Sequence, residues 1–123
     1  MDTPDVLLGR YGNLIEYAKN VTGLNFVIGS VLPDPENPDV DQVIQDFHPR
    51  LKKLVSQKKW CNFLNLNQKP GFRKDECQEI KLDLFDKNPK TLRPDIHLSP
   101  KGAQLLAQRM FHLAMMLEWK DFD

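Results

Sequence analysis

The chain has 123 residues, 41% of them hydrophobic and 28% charged, which is the composition of an ordinary globular domain with one core. Seventeen basic residues balance seventeen acidic ones. That balance excludes a net positive field drawing the chain to nucleic acid or to an anionic membrane.

Read from the front, MDTPDVLLGR lacks the basic n-region and long apolar run of a secretory signal. The apolar stretches are too short to span a bilayer, so an intracellular location is the default expectation. Thr3 and Pro4 mark a helix start, a hydroxyl cap followed by a residue whose missing N–H costs nothing there. Leu7, Tyr11, Leu14, Ile15 and Ala18 recur at helical spacing and predict one apolar stripe. Asn20 to Gly23 closes the helix.

Leu24 to Leu32 is short, apolar and β-branched, and reads as a strand buried on both faces. Pro33, Pro35 and Pro38 stop it. A second helix is expected after Asp39 as cap, with Gln42 completing a capping box. Val40, Val43, Ile44, Phe47, Leu51, Leu54 and Val55 mark its buried face. Pro49 predicts either a kink or two short helices. Arg50, Lys52, Lys53, Lys58 and Lys59 form the densest basic patch and read as a solvated helix face.

Trp60 to Leu66 predicts a second strand. Strand, helix and strand together make a βαβ unit with parallel pairing. Asn67 to Asn88 is polar and irregular, with a turn at Pro70-Gly71, and Glu79 to Phe85 is either a short strand or a loop. Ser99 and Pro100 open the last helix, whose apolar face runs through Ala103, Leu106, Ala107, Met110, Leu113, Ala114 and Leu117. Met110, Met115 and Met116 read as core filler, and the tail WKDFD as a fraying end. Cys61 and Cys77 have no metal-ligand spacing and read as reduced thiols. The fold class is thus α/β, a parallel sheet flanked by helices, in one domain over residues 1–123.

The chemistry concentrates in Arg93-Pro94-Asp95-Ile96-His97-Leu98-Ser99-Pro100-Lys101-Gly102. His97 falls in a loop before a capped helix and after a βαβ unit, where open α/β sheets gather their ligand sites. Near neutral pH such a histidine serves as a general base. His48 and His112 show no H-x-x-x-H spacing and read as surface or helix-packing residues, so neither a metal nor a cofactor is called for.

His97-Leu98-Ser99-Pro100-Lys101-Gly102, with Leu105-Leu106-Ala107 after it, resembles the last motif block of SGNH (GDSL-type) hydrolases. That block typically reads Asp-Gly-(Ile/Val)-His-Leu-(Ser/Asn)-x-x-Gly. Phe26 to Pro33, the helix from Val40 and the strand Trp60 to Leu66 are similar to the family's preceding order. The resemblance implies a three-layer fold, an ester substrate for the intact domain, His97 as base and an aspartate to orient it. The sequence departs from the pattern twice. There is no Gly-Asp-Ser and no Gly-x-Asn-Asp, so the reading has the chain begin after both and the domain partial. The orienting position, three before His97, is Pro94, which leaves Asp95 as the substitute.

None of the three serines fits as nucleophile. Ser30 reads as the end of a core strand, Ser56 falls late in a charged helix and Ser99 is a cap. Three readings follow: an esterase-like domain that is not catalytic as it stands, a degenerate SGNH-like module contacting protein or RNA, or a small helical α/β domain unrelated to hydrolases, which the His97 block disfavours. Only two strands are convincing, and a parallel pair lacking a neighbour exposes an apolar edge where association is expected.

Overall fold

The computed structural model describes residues 3–76 and 78–117. The tail expected to fray lies outside them. The order is α1 (Pro4–Thr22), β1 (Phe26–Gly29), α2 (Pro38–Ser56), β2 (Cys61–Leu64), a 3-10 turn (Leu82–Leu84), β3 (Phe85–Lys87), β4 (Pro94–Leu98) and α3 (Pro100–Met116).

Helix starts follow local chemistry. The Thr3 hydroxyl accepts the Val6 N–H, and Gly23 closes α1 in a left-handed conformation that glycine adopts without a Cβ penalty. For α2 the cap is Asn37 rather than Asp39, because Pro38 takes the first helical position and shifts the start forward. Asn37 Oδ1 accepts from Asp39 N at 3.0 Å and Val40 N at 3.2 Å. Pro49 does not divide α2, which runs unbroken for 19 residues. It lies on the exposed side of the helix.

β1 and β2 pair in parallel, Phe26 with Cys61 through Gly29 with Leu64, as a βαβ unit requires. The architecture is α/β, but not one parallel sheet. β3 and β4 form a separate antiparallel pair, Phe85 opposite Leu98. The strands are also shorter than expected, and β1 is not buried on both faces: Val27 is 47% exposed.

Two apolar clusters lie on opposite sides of the parallel pair. Phe47, Leu51 and Val55 of α2 pack with Leu7, Tyr11, Ile28 and Phe63. Leu64, Leu66, Phe72, Leu84 and Phe85 pack with Leu105 and Leu106 of α3. Alternation along β2 sends Phe63 to one cluster and Leu64 to the other. The α1 stripe is only partly used: Ile15 is buried, while Leu14 is 65% exposed because α1 packs chiefly on α2. The methionines are not core filler. Met110, Met115 and Met116 are all more than half exposed, since α3 seats through Leu105, Leu106 and Leu113.

Gly102 explains how α3 comes so close to the 3-10 turn. A Cβ there would lie 2.0 Å from the Leu84 carbonyl oxygen. No helix is long and apolar enough to cross a membrane among the described residues.

Candidate functional site

His97 stands on β4, not in a loop, because Phe85 pairs with Leu98 and draws the segment into the hairpin. Asp95 and His97 are two apart on a strand and so share a face. Asp95 Oδ1 accepts the His97 backbone N–H at 2.8 Å and lies 3.2 Å from His97 Nδ1. The Asp95 side chain is 15% exposed and the imidazole 76% exposed. One ring nitrogen is therefore held by a carboxylate while Nε2 faces solvent. Glu36, from the loop after β1, accepts the Ile96 N–H at 3.0 Å and ties that loop to β4. Pro94 opens the strand, a position that needs no N–H.

The serines are engaged elsewhere. Ser30 Oγ is buried, donates to Leu64 O at 3.3 Å and accepts from Leu66 N at 2.7 Å. It ends β1, as its sequence context indicates. Ser99 Oγ donates to Asp83 O at 2.8 Å and accepts from Gly102 N at 3.1 Å, the helix cap. Ser56 Oγ donates to Lys53 O. Burial pushes the Cys61 thiol up, which suits a small hydrophobe and not a nucleophile. Cys77 lies outside the described residues.

A second polar assembly escaped the sequence reading. His48 is 3% exposed on the inner face of α2, so the helix-packing alternative describes it. Its Nε2 meets Glu76 Oε1 at 2.8 Å, and its Nδ1 lies 3.3 Å from Asn67 Nδ2. A carboxylate accepts, so Nε2 carries the proton given to Glu76. Lys52 and Asn65 also donate to Glu76 Oε1, at 3.0 and 2.8 Å. Burial alone raises that carboxyl, but the donors Lys52, Asn65 and His48 outweigh it and hold its pKa at about 2.

Beside this assembly the fully buried Arg73 binds Asp41 with two nitrogens, at 2.8 and 2.9 Å. Arg109 of α3 donates to the carbonyls of Asn65, Gln68 and Pro70 and so holds the loop that carries the assembly. His48, Asn67, Arg73 and Asp41 are buried, and the assembly reads as a scaffold for the 65–76 loop.

Three of the five residues of the basic patch, which runs from α2 past its end, pair with carboxylates. Arg50 pairs with Asp5, Lys52 with Glu76 and Lys58 with Glu16, which supports the solvated-face reading. No group of three His, Cys, Asp or Glu side chains is placed to hold a metal among the described residues. A cavity of about 600 Å³ is lined by Lys69, Arg73, Lys74, Asp75 and Lys81.

No family model, curated protein or solved structure matches the chain.

Proposed function

We propose that this chain is the histidine-bearing part of an SGNH-type ester hydrolase, and that by itself it does not turn over esters. The observation that carries the reading is the contact between His97 Nδ1 and Asp95 Oδ1 beneath an open Nε2. An imidazole held by a carboxylate at one nitrogen offers the other as a general base toward a hydroxyl. Asp95 does the orienting that Pro94 cannot. The order β1, α2, β2 and then the Ser99-capped α3 supports the same reading, with α2 and α3 on opposite faces of the parallel pair. Silence follows from the serines, each hydrogen-bonded away from His97. Without an activated nucleophile, acyl transfer has no first step.

Hydrolysis of p-nitrophenyl acetate, with nitrogen NMR of the ring, tests the proposal. The chain is expected to be no faster than His97→Ala, and the neutral ring to carry its proton on Nδ1 in an Asp95-dependent way. An acyl-enzyme burst abolished by Ser30→Ala or Ser99→Ala overturns the silence. A ring tautomer unchanged by Asp95→Asn overturns the dyad.

The cavity lined by Lys69, Lys74 and Lys81 favours a second reading, a non-catalytic module that binds RNA. Against it, Lys69 lies 3.8 Å from Asp75 and Lys74 lies 2.8 Å from Glu79. Retention of single-stranded RNA, falling steeply with salt and lost in Lys81→Gln, would favour this module over the esterase reading.

A further inference from the structure

β4 is bulged where Asp95 and His97 stand. Lys87 pairs with Pro94 and Phe85 with Leu98, so Asp86 alone faces the run Asp95, Ile96 and His97. A bulge of this kind re-aims side chains and leaves ladder groups without strand partners. Two of the three N–H groups go to carboxylates instead. His97 N donates to Asp95 Oδ1 at 2.8 Å, and Ile96 N donates to Glu36 Oε1 at 3.0 Å.

Glu36 is exposed, yet its backbone is anchored. Its own N–H donates at 2.9 Å to Asp34 Oδ1, which also accepts at 3.1 Å from Asn37, the cap of α2. Asp34 N in turn donates at 2.9 Å to Asp41 Oδ1, on the carboxylate that grips the buried Arg73. A continuous series of contacts thus runs from the buried Arg73 to the peptide between Asp95 and His97. A long exposed side chain gives up rotamer freedom to hold one geometry. Glu36 does so at the one residue that separates Asp95 from His97, where the bulge interrupts the ladder.

We propose that Glu36 is a positioning residue for the Asp95–His97 dyad: its carboxylate, anchored through Asp34 and Asp41, fixes the Ile96 peptide in the bulged strand and so holds the imidazole at Asp95. The inference rests on the reading of Asp95 and His97 as a dyad.

Two variants separate reach from charge. Glu36→Asp keeps the charge and is one methylene short; Glu36→Gln keeps the length and an acceptor oxygen. Amide exchange at Ile96 and nitrogen NMR of the histidine rings read both. In Glu36→Asp, Ile96 is expected to exchange about tenfold faster, the weight of one hydrogen bond to a charged group. The neutral His97 ring is expected to lose its preference for a proton on Nδ1. Glu36→Gln is expected to keep the wild-type tautomer. Far-ultraviolet circular dichroism, and the ring of His112 exposed on α3, should stay unchanged in both.

A wild-type tautomer or wild-type Ile96 exchange in Glu36→Asp overturns the inference; an Asp95→Asn effect in the same spectra would then leave the dyad standing. Asp95→Asn without effect removes the dyad and the inference together. Glu36→Gln behaving as Glu36→Asp also overturns the inference, since charge and not the hydrogen bond would then act. So does a His97 change that is matched at His112 or accompanied by lost circular dichroism.

Discussion

Asp41 and Arg73, 32 positions apart, meet as a two-pronged ion pair, with contacts of 2.8 and 2.9 Å and the guanidinium wholly buried. The pair joins the start of α2 to the irregular segment after β2. Removing one partner leaves a buried charge uncompensated, which costs about 3–5 kcal/mol. Asp41→Asn is expected to lower the unfolding free energy from urea melts by that amount, and Asp41→Asn with Arg73→Met to recover part of it.

The same carboxylate sets part of the acid limit. Burial raises the Asp41 carboxyl, but the Arg73, Asp34 and Gln45 donors and the Arg73 charge bring it below its ordinary 3.8. A carboxyl with a depressed folded pKa stabilises above its unfolded pKa, and that contribution is lost as pH falls through the folded value. Glu76 behaves alike, between 4.5 and about 2. Glu76→Gln is expected to flatten the stability curve in that window and to leave its slope near pH 7 unchanged. An unaltered acid limb, followed by circular dichroism, would reject the assignment.

Two glycines on helices have opposite expected fates. Gly102→Ala drives a methyl against the Leu84 carbonyl, and the strain is expected to cost about 1–3 kcal/mol. Gly9→Ala meets nothing within 4 Å, and is expected to stabilise α1 by about 0.5–1 kcal/mol. Thermal melts of the two variants should move in opposite directions.

His97 contributes little to stability. With its side chain 76% exposed, His97→Ala is expected to change folding free energy by no more than about 0.5 kcal/mol. His48→Ala strips a buried ring from Phe63, Asn67 and Glu76 and is expected to cost several times more. Paired denaturant melts measure the contrast.

Local signals were legible in the sequence, and long-range ones were not. Thr3-Pro4 and Ser99-Pro100 place their helix starts because a cap acts within a turn. The βαβ order gave the parallel pair, since a short strand, a helix and a second strand admit few other arrangements. Asp95 and His97 share a face because they stand on a strand where the sequence indicates a loop, so that relation was not legible. The hairpin that makes β4 depends on Phe85 finding Leu98, which no local pattern encodes. One signal was present and missed: Asp41 and His48 lie seven apart, on the face of α2 that also carries Ile44, Leu51 and Val55. A carboxylate and an imidazole within a buried stripe require partners. Arg73, Asn67 and Glu76 are those partners.

The grip of Arg109 on three carbonyls of the 65–70 loop also bears on the order in which the chain matures. That loop leaves the ribosome some forty residues ahead of its clamp. Through that interval the carbonyls of Asn65, Gln68 and Pro70 have only water to bind, and α1, α2 and the parallel pair can assemble around an unfinished rim. The carbonyls of Asn65, Gln68 and Pro70 therefore meet their protein partner only when the last helix docks.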